Sequence, residues 1–245
     1  NVLVTGSSHG IGAATAVAFA KQGCNIGVTY CSNYEGAQEV ANQCSEYGVD
    51  VQIFRADLTV REEALTLMKA FLKHFKVIDV LINNAGGALK MPKGEFYEMP
   101  LEYWDAQINF NLSSPAYLMH EAVRNMKENR IEGRIVNISS IHGKVTWVKR
   151  KAFPYAAAKG GIEMFTKALG IEVAKYGIRV NCIAPGLVLT GVIDRYSERD
   201  LEGFRRKIAA GFLAKAADIV PAILFLSDIE STRYIWQPVS CRFDD

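Results

Sequence analysis

The sequence lacks any apolar run long enough to cross a membrane. A membrane-spanning helix needs about 18 to 20 consecutive apolar residues, whereas the hydrophobic residues, 49% of the 245-residue chain, occur in short groups. We therefore expect a chain that does not cross a bilayer. Charged residues make up 22% of the sequence, which is typical of globular proteins and excludes a disordered or fibrous chain.

Cysteine is scarce, and neither cysteine nor histidine shows metal-ligand spacing. The five cysteines are odd in number and form no CxxC pair, which argues against a disulfide framework or a metal centre. An apolar strand pattern begins at Val2 without a secretory signal or an initiator methionine. We therefore expect a trimmed chain in a reducing, cytoplasmic location.

An excess of either charge is also missing. Lysine and arginine number 28 against 26 acidic residues, a net charge of +2. Nucleic acids and anionic membranes bind dense basic patches, so neither is expected as a partner. One local basic cluster supports the hypothesis of an anionic or carrier-bound substrate, with a solvated charged loop as the alternative. Its members are Lys144, Lys149, Arg150 and Lys151.

Short runs rich in valine and isoleucine alternate with longer helical patterns. Near-continuous apolar runs are typical of strands that are buried on both faces, and this alternation favours parallel strands joined by helices. We predict an α/β fold: a three-layer, doubly wound parallel sheet (a Rossmann fold) in a single domain over residues 1–245. The predicted strands lie at residues 2–4, 26–28, 51–54, 80–82, 135–138 and 180–183.

Three local patterns carry expectations of their own. Thr59 with Glu62 forms a capping box, which predicts a helix beginning at Thr59. Residues 187–217 are charged and follow a Pro-Gly turn, which predicts a mobile substrate-loop insertion over a site, or alternatively a surface helix pair. Pro238 lies in an expected last strand and predicts weak pairing there.

A glycine-rich turn follows the first predicted strand and precedes a helix of small residues. Its glycines permit a tight turn in which backbone N–H groups approach phosphates closely, and the helix dipole adds partial positive charge. A glycine-rich connector is the alternative. The predicted phosphate contacts are Gly6, Ser7, Ser8, His9, Gly10, Ile11 and Gly12.

Several further motifs follow in a fixed order. They are Asn83-Asn84-Ala85-Gly86, Asn111, Ser139-Ser140, Tyr155-x-x-x-Lys159, and Pro185-Gly186 with Thr190. Together with the TGxxxGIG form of the glycine turn, they resemble the short-chain dehydrogenase/reductase family from the first strand to about Ile235. In style they are similar to the 3-oxoacyl-carrier-protein-reductase-like branch, which includes sugar and steroid dehydrogenases. The resemblance adds cofactor contacts at Asn84, Ala85, Gly86, Pro185, Gly186, Val188 and Thr190.

Tyr155 and Lys159 are four residues apart and therefore share a helix face. A phenol, with an ordinary pKa of about 10, is a poor base at neutral pH, and a neighbouring ammonium favours its ionised form. Such a phenol can exchange a proton with a substrate oxygen while hydride moves to or from a nicotinamide. The resemblance assigns this catalysis to the pair and has Lys159 also hold the nicotinamide ribose. A half-buried tyrosine beside a solvated lysine is the alternative.

Ser140 and Asn111 complete the catalytic set that the resemblance implies. Ser140 follows a predicted strand at the edge where open α/β sheets bind ligands, and its hydroxyl could donate to the reacting oxygen. The family's serine precedes x-x-Gly, which selects Ser140 over Ser139. Asn111 matches a structural and proton-relay asparagine, with Asn109 as the alternative. Ser140 and Tyr155 are then the substrate contacts; a turn-capping serine and a buried asparagine are the simpler interpretations.

The cofactor prediction depends on a missing acid after the second strand. Dinucleotide folds that bind NAD place Asp or Glu there for the ribose 2′-OH, but here Cys31 takes that place. Ser32 follows where many NADP-dependent relatives carry a small hydroxyl or basic residue, and the resemblance makes it a cofactor contact. His9 stands where NADP-dependent relatives often carry a basic residue. NADP(H) is therefore favoured, with NAD(H) as the alternative. Asp57 and Leu58 match the pair that borders the adenine.

The leading interpretation is an NADP(H)-dependent oxidoreductase that interconverts a carbonyl and a secondary alcohol, similar to 3-oxoacyl-carrier-protein reductases. The alternatives are an NAD-dependent sugar or polyol dehydrogenase and, from another class, a non-catalytic dinucleotide-binding sensor or scaffold. The resemblance also implies a homotetramer or homodimer.

Overall fold

In the part of the chain that the structure describes, seven parallel strands form one sheet, in the order of residues 51–55, 26–30, 2–4, 80–83, 134–138, 179–184 and 238–240. The computed structural model describes residues 1–90, 95–145, 152–191, 197–228 and 238–240. The sheet strands are β1 (Val2–Val4), β2 (Ile26–Tyr30), β3 (Val51–Arg55), β4 (Val80–Asn83), β5 (Arg134–Ile138), β6 (Arg179–Ala184) and β9 (Pro238–Ser240). A separate two-stranded parallel pair consists of β7 (Val188–Leu189) and β8 (Ala214–Lys215).

Helices cover both faces of the sheet. They are α1 (Gly10–Lys21), α2 (Tyr34–Ser45), α3 (Arg61–Phe75), α4 (Leu101–Ile108), α5 (Ser114–Glu128), α6 (Phe153–Val173), α7 (Glu198–Arg205) and α8 (Ala216–Ser227). One apolar core lies between the sheet and α1, α2 and α8, and the other lies between the sheet and α3, α5 and α6. This confirms the predicted three-layer, doubly wound fold.

The order of the strands places a crevice beside β1. β1 pairs with β2 on one side and with β4 on the other, so the chain reverses its direction of growth between β1 and β4. Ligands of open α/β sheets bind outside the carboxyl ends of the strands at such a switch point. The glycine turn and the loop after β4 are therefore neighbours at this edge.

The predicted helix start at Thr59 is wrong. Helix α3 begins at Arg61, and no side chain caps its N-terminus. The Thr59 hydroxyl instead donates to the Asp57 carboxylate at 2.7 Å, while Glu63, rather than Glu62, accepts from the Asp57 backbone N–H at 2.7 Å. Because the Thr59 hydroxyl is hydrogen-bonded to the Asp57 carboxylate, it does not cap the helix.

Pro238 does not prevent the last strand. Residues Pro238–Ser240 pair with Cys182–Ala184 of β6 at the edge of the sheet. Proline is tolerated at the first residue of a strand and on edge strands, because no partner needs its missing N–H there. The expectation of weak pairing therefore gives way to an edge strand.

Among the described residues of 187–217, the pair β7 and β8 encloses helix α7, and α8 begins only at Ala216, at the end of the segment. Leu201, Ile208 and Leu213 form a small apolar cluster of their own, with Leu187, Leu189 and Phe204 packed against it. A substrate-loop role for this segment stays a prediction. Among the described residues, none of the helices is both long enough and apolar enough to span a bilayer.

Candidate active site

The glycine turn leaves the N-terminus of α1 open toward the crevice. Gly6 and Gly10 both have φ +61°, a left-handed conformation that favours glycine. A Cβ on Gly12 would lie 2.5 Å from the Gly6 carbonyl oxygen. The N-cap residue His9 makes no side-chain capping bond, and the first turn of α1 carries no acid. These features fit a pyrophosphate held by backbone N–H groups.

Not every residue predicted in this turn faces the crevice. The buried Ser7 hydroxyl donates to the Val4 carbonyl at 2.9 Å and accepts from the Thr29 N–H at 2.8 Å. Ser8 is also buried, and its hydroxyl lies 3.1 Å from His9 Nδ1. Ser7 therefore shapes the turn from inside, while the exposed His9 and the half-buried Ile11 lie at its surface.

Asn84 and Ala85 join the loop after β4 to the glycine turn. The Asn84 amide donates to the Thr5 and Gly6 carbonyls at 2.8 and 3.1 Å. The backbone N–H groups of Asn84 and Ala85 both donate to the Thr5 hydroxyl at 2.9 Å. A Cβ on Gly6 would lie 3.0 Å from Ala85 Cα. The glycine turn and the loop after β4, which both carry predicted cofactor contacts, are therefore joined by hydrogen bonds.

The segment after β6 also contacts the glycine turn. Thr190 lies so close to Gly10 that a Cβ on Gly10 would meet Thr190 Cγ2 at 3.1 Å. The Pro185 carbonyl accepts from the Ile141 N–H at 3.1 Å. Val188 is buried in β7, and Gly186 is half-buried before it.

The corner after β2 is where an adenosine ribose would lie in a fold of this type. Cys31 and Ser32 are exposed there, and Leu58 is buried nearby at the end of β3. Partial burial and then the charge of Asp57 raise the pKa of the Cys31 thiol, whereas the guanidinium of Arg55 lowers it. Acidic and basic groups therefore both act on this corner.

Lys159 is buried beneath the crevice, and Tyr155 is half-buried one helical turn before it. Lys159 Nζ donates to the Ile138 carbonyl at 2.8 Å and lies 5.7 Å from the centroid of the Tyr155 ring. Burial lowers the pKa of the Lys159 ammonium from 10.5 to about 8. The shared helix face predicted from the spacing is therefore present, with the amine held by the main chain of β5.

The two serines after β5 have different partners. The Ser139 hydroxyl hydrogen-bonds to groups of α6, the Lys159 carbonyl at 3.0 Å and the Glu163 carboxylate at 2.9 Å. The Ser140 hydroxyl instead accepts the N–H of His142 at 3.2 Å and caps the short 3₁₀ turn Ile141–Gly143. Accepting this bond does not use the Ser140 O–H, so the geometry is compatible with both interpretations of this residue, turn cap and substrate donor.

Asn111 is buried in a π-helical turn, Asn109–Ser113, between α4 and α5. Its amide exchanges two hydrogen bonds with the backbone of Gly87, at 2.9 and 3.1 Å. A Cβ on Gly86 would lie 2.9 Å from Lys159 Nζ and 3.0 Å from Asn111 Oδ1. Glycine at this position therefore lets Asn111 and Lys159 face the same space, whereas Asn109 donates to the Thr59 carbonyl instead.

The sequence places His142 near the predicted site but indicates no catalytic role for it. The His142 and Tyr155 ring centroids lie 6.1 Å apart in an edge-to-face arrangement. The only signal was its place two residues after Ser140. Among the described residues, no group of three or more potential ligands could hold a metal ion, and Lys149, Arg150 and Lys151 of the basic cluster lie outside the described residues.

The depressed pKa of Lys159 predicts a pH dependence of carbonyl reduction. Since the ammonium is charged below about pH 8 and neutral above it, kcat/KM for reduction should be constant below that pH and fall as the pH rises through it. Initial rates across a pH series measure this dependence.

Lys159→Arg is the control for this fall in kcat/KM above about pH 8, because a guanidinium keeps its proton across the whole range. The variant should be slower than the wild type, but its kcat/KM should not fall as the pH rises through about 8. A wild-type profile that stays flat well above that pH would contradict the assignment.

Comparison with known proteins gives consistent matches. The family model described as short chain dehydrogenase matches residues 1–200. Glucose 1-dehydrogenase 2 of Bacillus subtilis is 34% identical over 233 residues, covering 94% of this chain and 88% of that protein. The 3beta-hydroxysteroid dehydrogenase 1 of Eggerthella lenta is 32% identical over 233 residues, covering 94% and 87%.

Two further matches carry NADP in their names. L-rhamnose 1-dehydrogenase (NADP(+)) of Thermoplasma acidophilum is 32% identical over 231 residues, covering 93% of this chain and 89% of that protein. A crystal structure of an actinorhodin polyketide ketoreductase variant with NADPH superposes with a TM-score of 0.87 at 28% identity, covering 99% and 95% of the two chains.

Proposed function

Because the chain belongs to the short-chain dehydrogenase family, whose members are oxidoreductases that act on CH–OH groups, we propose that it interconverts a carbonyl and a secondary alcohol with NADP(H). The observation that carries this proposal is the convergence of Asn111 and Lys159 on Gly86. Tyr155 lies one helical turn before Lys159, and Ser140 follows strand β5, whose Ile138 carbonyl accepts from Lys159. The glycine turn contacts Ala85, the residue before Gly86.

The side chains divide the proton chemistry among themselves. A bound nicotinamide supplies or accepts hydride at the substrate carbon. Tyr155 transfers its hydroxyl proton to the carbonyl oxygen as the carbon–oxygen double bond becomes single, and Ser140 donates a hydrogen bond to that oxygen. Lys159 stabilises the phenolate that remains and holds the ribose, and Asn111 positions the relay that returns the proton.

The preference for NADP(H) rests on the corner at Cys31. The first carboxylate after β2 is Glu35 in α2, so none stands at the Cys31 position to repel a 2′-phosphate. Arg55, at the end of the neighbouring strand β3, brings a positive charge to the corner beside the negative charge of Asp57. The rhamnose dehydrogenase and the ketoreductase structure, both named with NADP or NADPH, are consistent with this preference.

Cys31→Asp should shift the cofactor preference away from NADPH and toward NADH. A new carboxylate beside the ribose accepts a hydrogen bond from a 2′-OH but repels a 2′-phosphate, so the NADPH-to-NADH ratio of kcat/KM should fall by about 10-fold or more. Steady-state rates with both cofactors measure the ratio. Cys31→Asn, which has the same shape without the charge, should change the ratio little; an equal effect of both variants would contradict the electrostatic explanation.

The substrate class is open to a direct test. Two of the curated relatives are named for sugars, glucose and rhamnose, which favours a sugar or polyol as the second candidate to the 3-oxoacyl thioester. A panel of aldoses, polyols, steroids, small ketones and acyl thioesters, assayed by nicotinamide absorbance with NADPH and NADH, distinguishes these candidates. Absence of turnover with the whole panel, in both reaction directions, would oppose the proposal.

The homotetramer or homodimer and the cytoplasmic location stay predictions. The exposed apolar side chains of Met164 and Ile171 on α6 are consistent with an interface between two copies of the chain.

A further inference from the structure

The helix face that carries Tyr155 and Lys159 continues to Glu163, again four residues on. The Glu163 side chain is only 16% exposed. One carboxylate oxygen accepts the Ser139 hydroxyl at 2.9 Å, and the other lies 3.6 Å from Lys144 Nζ. The proposed chemistry uses neither contact.

These two contacts hold both ends of the segment that carries Ser140. Ser139 precedes Ser140 directly, and Lys144 follows the 3₁₀ turn Ile141–Gly143. The turn packs tightly on the helix, because a Cβ on Gly143 would lie 2.9 Å from the Lys159 carbonyl and 3.0 Å from the Glu163 carboxylate.

We propose that Glu163 is a positioning residue, which fixes the Ser140 turn against α6 so that the Ser140 hydroxyl stands opposite Tyr155. This inference rests on the proposed roles of Ser140 and Tyr155. Ion pairs with an exposed partner contribute little to stability, and Lys144 is 38% exposed. A displacement of about 1 Å at a reacting group, by contrast, can cost about 10²-fold in rate. Glu163 should therefore act on catalysis more than on folding.

Three variants separate the two contacts. Glu163→Ala removes both, Glu163→Gln keeps an acceptor for Ser139 but loses the charge that pairs with Lys144, and Lys144→Met removes the partner. We expect Glu163→Ala to lower kcat by about 10-fold, with the Kd for NADPH within about twofold of wild type. Glu163→Gln and Lys144→Met should each lower kcat less than Glu163→Ala does. The double variant Glu163→Gln/Lys144→Met should lower kcat no further than either single variant, because both substitutions remove the same ion pair.

Three readouts decide the proposal: kcat, the Kd of NADPH from fluorescence titration, and the midpoint of thermal unfolding. Glu172→Gln, an exposed glutamate on the same helix, is the matched control and should match wild type. An unchanged kcat in Glu163→Ala would overturn the proposal, as would parallel losses in kcat, Kd and unfolding midpoint. If Glu163→Ala does not fold, the other two variants still test the proposal. Additive effects of Glu163→Gln and Lys144→Met on kcat would then overturn it.

A Tyr155→Phe sample in the same assay separates this inference from the function on which it rests. If Tyr155→Phe keeps full turnover, the proposed function fails and the inference fails with it. If Tyr155→Phe is inactive while the Glu163 variants resemble wild type, only the positioning role fails.

Discussion

Replacing Tyr155 by phenylalanine should lower turnover by roughly 10² to 10⁴-fold while leaving the protein folded and able to bind NADPH. The substitution removes only the hydroxyl, which in the proposed mechanism moves the proton to the substrate oxygen. The ring keeps its edge-to-face contact with His142 at 6.1 Å and its place 5.7 Å from Lys159 Nζ. The rate of NADPH oxidation and a fluorescence titration of NADPH measure the two quantities separately.

Tyr176→Phe is the matched control, because Tyr176 is 38% exposed in the 3₁₀ turn Ala174–Tyr176 that follows α6. Its activity should equal that of the wild type. If Tyr155→Phe retains more than a small fraction of the wild-type rate, the phenol is not the proton donor. Equal, negligible turnover in the wild type and in Tyr155→Phe, with NADPH binding intact, would instead favour the dinucleotide-binding sensor.

Replacing Gly12 by alanine should abolish tight cofactor binding. The new Cβ would lie 2.5 Å from the Gly6 carbonyl oxygen and from Asn84 Nδ2, and 2.9 Å from Ser7 Cα. Two of these neighbours are backbone atoms, which cannot move without deforming the glycine turn. Losing two hydrogen bonds to a charged phosphate, at about 1.5 kcal/mol each, raises the dissociation constant by about 100-fold.

Gly203→Ala is the control for this experiment. Gly203 lies in α7, and a Cβ there meets nothing within 4 Å, so NADPH binding should be unchanged. Titration of NADPH against both variants gives the comparison, and thermal unfolding shows whether Gly12→Ala still folds. A folded Gly12→Ala with the wild-type Kd would show that the turn does not hold the phosphates.

The sheet could be predicted from the sequence because buried parallel strands need apolar residues on both faces. The runs at Val2 and at Ile135 meet that requirement and lie in the strands where expected. The start of α3 could not be predicted in this way. The capping-box pattern considers only Thr59 and Glu62, whereas the outcome depends on Asp57, whose carboxylate takes the Thr59 hydroxyl.

In the candidate site too, the sequence predicts what depends on local spacing and does not predict what depends on contacts between distant segments. The fixed spacing of Tyr155 and Lys159 gave their shared face, because four residues make about one helical turn. The choice between Asn109 and Asn111 needed the structure, since a π-helical turn changes which face each residue occupies. Contacts such as that of Glu163 with Lys144 join segments 19 positions apart in the chain, and no local pattern signals them.

The wide turn at Asn109–Ser113 also limits how this stretch of the chain can vary in length. Helices α4 and α5 follow each other directly through this turn. Each residue of a regular α-helix accounts for about 100° of rotation, so deleting one residue within the turn would change the helix face on which Asn111 lies. Asn111 would then lose its two hydrogen bonds to Gly87, and we expect this stretch to tolerate changes of length less well than surface loops do.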